Sequence, residues 1–251
     1  DEKWRLDIDG ILLGSPNVID EKHVVVLDQS EGSLLCIDIE TGKTAWSTEG
    51  VERCDGSPGV GSGYAVFGSC LAALHVYNAT DGKHVRNIEI GGDGQIAGGV
   101  AIAGNQAFFG ARDGRLISAN LVEGTIVWSS EESIDQTFST PAVGKETIVY
   151  TSDDGFVYAV DRSIGRTRWK YDTEGYPTSP VIVGDKVVLT ADGSLILLKL
   201  ADGALLSKQS ISDEATSPAI VNGLVVVGAD DGTISAWGTP VVSKEQEAGS
   251  E

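Results

Sequence analysis

The residues of this 251-residue chain that could do chemistry are three cysteines, three histidines and a surplus of carboxylates. Cys54 and Cys70 flank an apolar hairpin whose turn, read as Gly61-Ser62-Gly63, pairs Val60 with Tyr64 and therefore sets the two cysteines opposite each other. Directly opposed positions hold their Cβ atoms about 4.5–5.5 Å apart, close enough to bridge after modest adjustment. A Cys54–Cys70 disulfide at the rim of the fold is therefore expected, and with it an oxidising compartment: periplasmic, cell-surface or secreted. The sequon Asn78-Ala79-Thr80 makes Asn78 a glycosylation candidate consistent with that setting. Cys36 lies inside an apolar strand and reads as a buried free thiol. His23, His75 and His84 belong to the first third of the chain and are read as packing or surface residues. Their placement disfavours Ser/His/Asp and Cys/His catalysis, and three scattered cysteines disfavour zinc.

The carboxylates carry the remaining signal. Asp plus Glu number 37 against 18 Lys plus Arg, a formal charge of −19 that repels phosphate backbones and anionic lipid. Nucleic acid is thus not expected as a partner. Membrane insertion is not expected either, because no apolar run approaches the roughly 20 residues a spanning helix needs. The N-terminal residues lack the basic and apolar regions of a signal peptide. Methionine is absent even from position 1, which suggests a processed or excised form.

The elements that must position these groups follow from an internal repeat. Gly32–Trp46 (GSLLCIDIETGKTAW), Gly114–Trp128 (GRLISANLVEGTIVW) and Gly155–Trp169 (GFVYAVDRSIGRTRW) share glycine, glycine and tryptophan at the same offsets. Gly193–Ser207 and Ala72–Arg86 keep the internal glycine and lose the tryptophan, and Gly232–Trp237 is half a copy. Upstream markers at Ser15-Pro16, Ser57-Pro58, Gly99-Val100, Thr140-Pro141, Ser179-Pro180 and Ser217-Pro218 stand 38 to 42 residues apart, the period of a propeller blade. Asp-Gly pairs at 113–114, 154–155, 192–193 and 231–232 supply the positive φ of tight hairpins. The fold expected is all-β: a six-bladed β-propeller of four-stranded antiparallel blades over residues 1–238, followed by a polar tail or linker at 239–251. Trp4-Arg5-Leu6-Asp7-Ile8 reads as an orphan outer strand that completes the last blade and closes the ring, leaving no exposed sheet edge.

The Ser-Pro, the Asp-Gly and the Leu-x-x-Asp, Thr-Gly, Trp pattern of Leu35–Trp46 resemble the PQQ-like repeat. That repeat builds the propellers of quinoprotein alcohol dehydrogenases and of an outer-membrane assembly lipoprotein. The resemblance spans about residues 4 to 238. For quinone-dependent members it implies eight blades, a calcium held by carboxylate and amide side chains, a catalytic aspartate and often a bridged pair of adjacent cysteines. This chain has six units, no Cys-Cys pair and no long roofing loop. No cofactor is therefore expected, with PQQ or calcium kept as the alternative.

In an up-and-down blade the second-to-third connections and the blade-to-blade loops share one face, here called the top. Carboxylates crowd that face, among them Asp55, Asp93, Asp113, Asp135, Asp153, Asp154, Asp230 and Asp231. Its clear bases are Arg53 and Arg112, and its candidate aromatic anchors are Phe138 and Tyr176. A concentrated negative field steers cationic partners. The function expected is that of a non-enzymatic, extracytoplasmic scaffold that binds a protein, through a basic segment, on this face. Three other readings stand beside it: a PQQ- or calcium-dependent oxidoreductase, as the family resemblance implies; a structural subunit of an extracellular assembly that docks through its tail or mixed bottom face; and Asp-Gly chosen for turn geometry alone.

Overall fold

The computed structural model describes residues 1–92 and 94–238. Asp93 and the expected tail, 239–251, lie outside the described residues. Among those described, regular structure is entirely β. Blade 1 holds β1 (Asn17–Val18), β2 (His23–Asp28), β3 (Ser33–Asp38) and β4 (Thr44–Ser47); blade 2 holds β5 (Gly59–Gly61), β6 (Tyr64–Gly68), β7 (Ala73–Asn78) and β8 (His84–Glu89). Blade 3 holds β9 (Ala101–Ala103), β10 (Gln106–Gly110), β11 (Leu116–Asn120) and β12 (Thr125–Ser130); blade 4 holds β13 (Ala142–Val143), β14 (Thr147–Thr151), β15 (Phe156–Asp161) and β16 (Thr167–Asp172). Blade 5 holds β17 (Val181–Val183), β18 (Lys186–Ala191), β19 (Ser194–Lys199) and β20 (Leu205–Ser210), and blade 6 holds β21 (Ala219–Val221), β22 (Leu224–Gly228) and β23 (Ile234–Trp237). Every blade is an antiparallel meander in chain order.

The repeat markers have identifiable mechanical roles. The serine of a Ser-Pro pair ties its blade to the preceding one: Ser57 Oγ accepts the Ser15 amide at 2.9 Å, Ser179 Oγ that of Thr140 at 3.0 Å, and Ser217 Oγ that of Ser179 at 3.2 Å. The tryptophan of each outer strand lies on the internal glycine of the next blade. A methyl group at Gly42, Gly82 or Gly203 would come within 2.5–2.6 Å of the ring of Trp4, Trp46 or Trp169, and Gly165 is covered likewise by Trp128. Indole Nε1 of Trp4, Trp128 and Trp169 donates to the carbonyls of Ile39, Arg162 and Leu200 at 2.7, 3.0 and 2.8 Å. In blade 2 Arg86 stands where the tryptophan would be and reaches Gly124 instead. Opposite each outer-strand tryptophan is a small residue, in the pairs Cys36–Trp46, Ser118–Trp128 and Ala159–Trp169, and a bulge follows this column immediately in five blades. The core lies between blades, where Val66, Leu74 and Val76 of blade 2, for instance, pack on Ala107, Phe109 and Ile117 of blade 3.

The structure departs from the sequence expectations at two points. The turn between β5 and β6 has two residues, Ser62 and Gly63, both at positive φ, so Val60 pairs with Ala65 and Gly61 with Tyr64. This primed turn suits the right-handed strand twist, and it shifts the register by one from that assumed for the cysteines. The ladder ends at Gly59–Val66, short of Cys54 and Cys70, and both are free thiols. At the other point, the N-terminal strand does not clasp the last blade. Trp4 takes the position of an outer-strand tryptophan against blade 1, but residues 1–8 form no ladder, and among the described residues blade 6 has three strands. Inner strands of successive blades lie side by side from β1 through β21, and no contact of comparable extent returns from β21 to β1.

Candidate functional site

The top loops divide by what their acids do. In the turns, carboxylates are engaged locally: Asp28 accepts the Ile11 amide, Asp192 that of Tyr176 and Asp230 that of Glu214, each at 3.1 Å, fixing a hairpin turn to the incoming blade-to-blade loop. Asp231 accepts Thr233, and Asp113 pairs with Arg115 at 2.7 Å. Asp154 accepts the Tyr158 hydroxyl at 2.7 Å and the Phe156 amide at 3.1 Å. These acids close turns, because a carboxylate there satisfies amides that no strand ladder reaches.

A second set gathers around Arg112, which follows β10. Its guanidinium bonds Asp55 Oδ2 at 2.9 Å and Gln136 Oε1 at 3.0 Å, and lies 4.9 Å from the Phe138 ring centroid. Arg112 thus ties the blade 1–2 loop to the blade 3–4 loop, and its buried Nε has no partner. Arg53 caps the other Asp55 oxygen at 3.1 Å from the solvent side. Behind this cluster a cavity of about 380 Å³ opens at the inner ends of the blades, lined by Ser15, Gln29, Asp55, Ser57, Phe138 and Thr140.

Beside it, Asp153 is drawn toward its neutral form by partial burial and by the nearby Asp135 and Asp154, with Arg112 opposing. Among the described residues Asp135 and Asp153 make no ion pair, and Arg112 offsets their negative field only from a distance. Two large side chains project at this rim: Ile134 is 91% exposed and Tyr176 74% exposed. Sequence reasoning singled out Tyr176 and missed Ile134. The signal was available, since an isoleucine between Ser133 and Asp135 in an inter-blade loop has no strand to pack on. It also missed Arg115, a third base on this face, whose guanidinium holds the Ile90 and Gly91 carbonyls.

The other predicted positions are structural or separate. His75 is buried, with Nε2 on Ser69 Oγ at 2.7 Å and Nδ1 on Asn87 Oδ1 at 2.9 Å. Asn78, at the end of β7, closes a turn through the Thr80 amide at 2.8 Å. Cys36 is buried as expected, its thiol pushed up to about 11, chiefly by burial. Cys54 is pushed up to about 12 by burial and then by Cys70, and its Sγ lies 3.2 Å from the Glu52 carbonyl. Among the described residues no three His, Cys, Asp or Glu side chains converge as a metal-ligand set. A quinone-calcium group does not fit the cavity behind Arg112, because Asp55, the carboxylate in its lining, is already bound by two arginines. No helix among those residues is long and apolar enough to cross a membrane.

The chain is 25% identical over 254 aligned positions to the outer membrane protein assembly factor BamB of Shewanella oneidensis, covering 78% of this chain and 63% of that protein. It therefore spans less than two thirds of the length of that relative. The crystal structure of BamB from Moraxella catarrhalis superposes with a TM-score of 0.77 at 20% identity, covering 94% of this chain and 72% of that one. The WD40 β-propeller domain of Doa1 superposes with a TM-score of 0.74 at 13% identity, over 92% of this chain and 79% of that one. The model of the family described as outer membrane protein assembly factor BamB matches residues 1–171, over half of the chain, so the repeat pattern, the propeller and this match together make the chain a member of that family.

Proposed function

We propose that this propeller is a non-enzymatic, extracytoplasmic protein-binding module that receives a basic segment of a partner protein at the top rim between blades 3 and 5. The carrying observation is that exposed Ile134 directly precedes Asp135, whose charge acts on Asp153, with exposed Tyr176 in the following blade-to-blade loop. An apolar anchor ringed by like charge is the pattern of an interface hot spot for a cationic partner. Arg112, held by Asp55 and Gln136 and stacked on Phe138, gives the patch a rigid floor, so little ordering entropy is lost on binding. The names of the BamB relatives, assembly factors of the outer membrane, support a protein partner and a cell-envelope setting.

The test compares capture of cell-envelope proteins by the wild-type chain, Ile134→Asp, Asp135→Asn/Asp153→Asn and a bottom-face control, Lys145→Glu. Loss of a hot-spot anchor weakens binding by about 2 kcal/mol, roughly thirtyfold. The same captured protein should be lost with Ile134→Asp, weakened in a salt-dependent way with the double variant, and retained by the control. Capture that ignores the rim variants and responds to Lys145→Glu would refute the reading.

A further inference from the structure

On the bottom face, opposite the rim patch, a cleft of about 530 Å³ opens between blades 3 and 4. Small-molecule sites span about 300–1,000 Å³. This one is lined only by polar or charged residues, among them Lys145, Glu146, Asp161, Arg162 and Arg168. Lys145 and Glu146 form the turn between β13 and β14, and Asp161 and Arg162 lie where β15 turns toward β16. None of these residues takes part in the top-rim patch.

Arg162 is out of keeping with its own repeat. Three residues before the internal glycine, blades 1, 2, 3 and 5 carry Ile39, Ala79, Leu121 and Leu200, and blade 4 carries this arginine. Its amide donates to the Glu146 carbonyl at 2.9 Å, while Nη1 and Nη2 donate to the carbonyls of Gly144 and Ala103 at 3.2 Å each. The guanidinium is thus fixed against the Lys145–Glu146 turn, with the Phe108 ring centroid 5.7 Å away. Those two bonds leave the rest of its five N–H groups for other acceptors. Among the described residues neither Arg162 nor Lys145 pairs with a carboxylate. Arg168 and Asp161 differ: they pair at 2.6 Å, and Asp161, which also accepts the Ser163 amide and hydroxyl, is held well below the usual carboxylate range. That pair cancels, which leaves two cations facing only Glu146 in a chain of net charge −19.

The turn also departs from its counterparts. The two-residue turns of blades 2, 3, 5 and 6 begin at positive φ, on Ser62, Gly104, Gly184 and Asn222, as favoured hairpin turns do, whereas neither Lys145 nor Glu146 has a positive φ. Two charged side chains stand there in place of a glycine pair member. A half-buried guanidinium without a counter-ion is matched by an oxyanion, whose paired oxygens fit its planar fork. We propose that this cleft binds a small molecule bearing a carboxylate or phosphate group, held by the remaining N–H groups of Arg162 and by Lys145, with Glu146 accepting a hydrogen bond from the same ligand. The inference is independent of partner binding at the top rim.

Isothermal titration calorimetry at low ionic strength tests this with citrate, with inorganic phosphate, and with glycerol as an uncharged probe. The proteins are the wild-type chain, Arg162→Leu, Lys145→Glu and Lys43→Ala, the last removing an equal charge from the same face in blade 1. Arg162→Leu restores the residue that blades 3 and 5 carry, so it should fold, which a urea midpoint checks. The expected result is saturable one-site binding of at least one anion at millimolar concentration and none of glycerol. That binding should be at least about tenfold weaker in Arg162→Leu and Lys145→Glu and unchanged in Lys43→Ala. The preferred anion tells a carboxylate ligand from a phosphate ligand. Absence of saturable binding of either anion to the wild-type chain would overturn the proposal, as would equal weakening by Lys43→Ala. Should Arg162→Leu fail to fold, Lys145→Glu decides alone, and binding unchanged in that variant would overturn it.

Discussion

Replacing Trp169 by Ala tests the mechanical account of the blades most directly. The indole is 9% exposed, lies over Gly203 of the next blade and donates to the Leu200 carbonyl at 2.8 Å. Truncating a buried aromatic costs about 3–5 kcal/mol, because the apolar surface is lost and the cavity only partly collapses. The Leu200 carbonyl also loses its donor, about 1 kcal/mol more where water cannot reach it. A domain of ordinary stability holds about 5–15 kcal/mol, so a loss of about 4 kcal/mol is a large share. Urea unfolding followed by circular dichroism reads this as a lowered midpoint with an unchanged slope. Trp169→Phe separates the terms by keeping a ring while removing the N–H. Gly203→Ala attacks the same contact from the other side, since its Cβ would lie 2.6 Å from the indole at a φ of +73°. A loss under about 1 kcal/mol for Trp169→Ala would show that the repeat's tryptophan is not a wedge between blades and would refute the reasoning.

Two other outcomes follow from ionisation. Burial lowers the pKa of His75 despite its Asn87 hydrogen bond, so the unfolded chain binds the proton more readily; the stability this neutral histidine carries is present above its unfolded value near 6.5 and is lost as pH falls below it. A second acid loss is expected below about pH 4, where Asp161, held down by Arg168 and Ser163, and Asp38, held down by Thr41, take up protons. Asp153, whose pKa is raised, opposes this loss slightly because protonation relieves it. Melting temperature against pH should therefore fall in two steps, with His75→Gln removing the upper one; a single step in both proteins contradicts the assignment. Thiol labelling at pH 8 should modify Cys70 first and leave Cys54 and Cys36 slow, since burial holds their thiols at about 12 and about 11. All three should react after unfolding without reductant; finding one reactive thiol would instead mean that Cys54 and Cys70 are bridged.

The sequence by itself determined the blade. Period, strand order, hairpin turns and the tryptophan–glycine partnership are local patterns that recur at 38 to 42 residues, and each copy reports on the others. The small residue opposite each tryptophan was legible for the same reason, as Cys36, Ser118 and Ala159 share one column of the repeat. Tertiary structure alone decided what depends on how copies meet. The hairpin at Ser62-Gly63 chose its two-residue register from backbone twist, and that choice moved the cysteines out of register. Most turn acids proved to be amide acceptors for neighbouring loops, while Ile134, Asp135 and Asp153 were left facing outward together, a distinction that composition cannot draw. Whether Trp4 completes blade 6 was likewise beyond the repeat pattern. That outcome rests on the angle between blades summed around the ring, a property of packed faces rather than of any one segment.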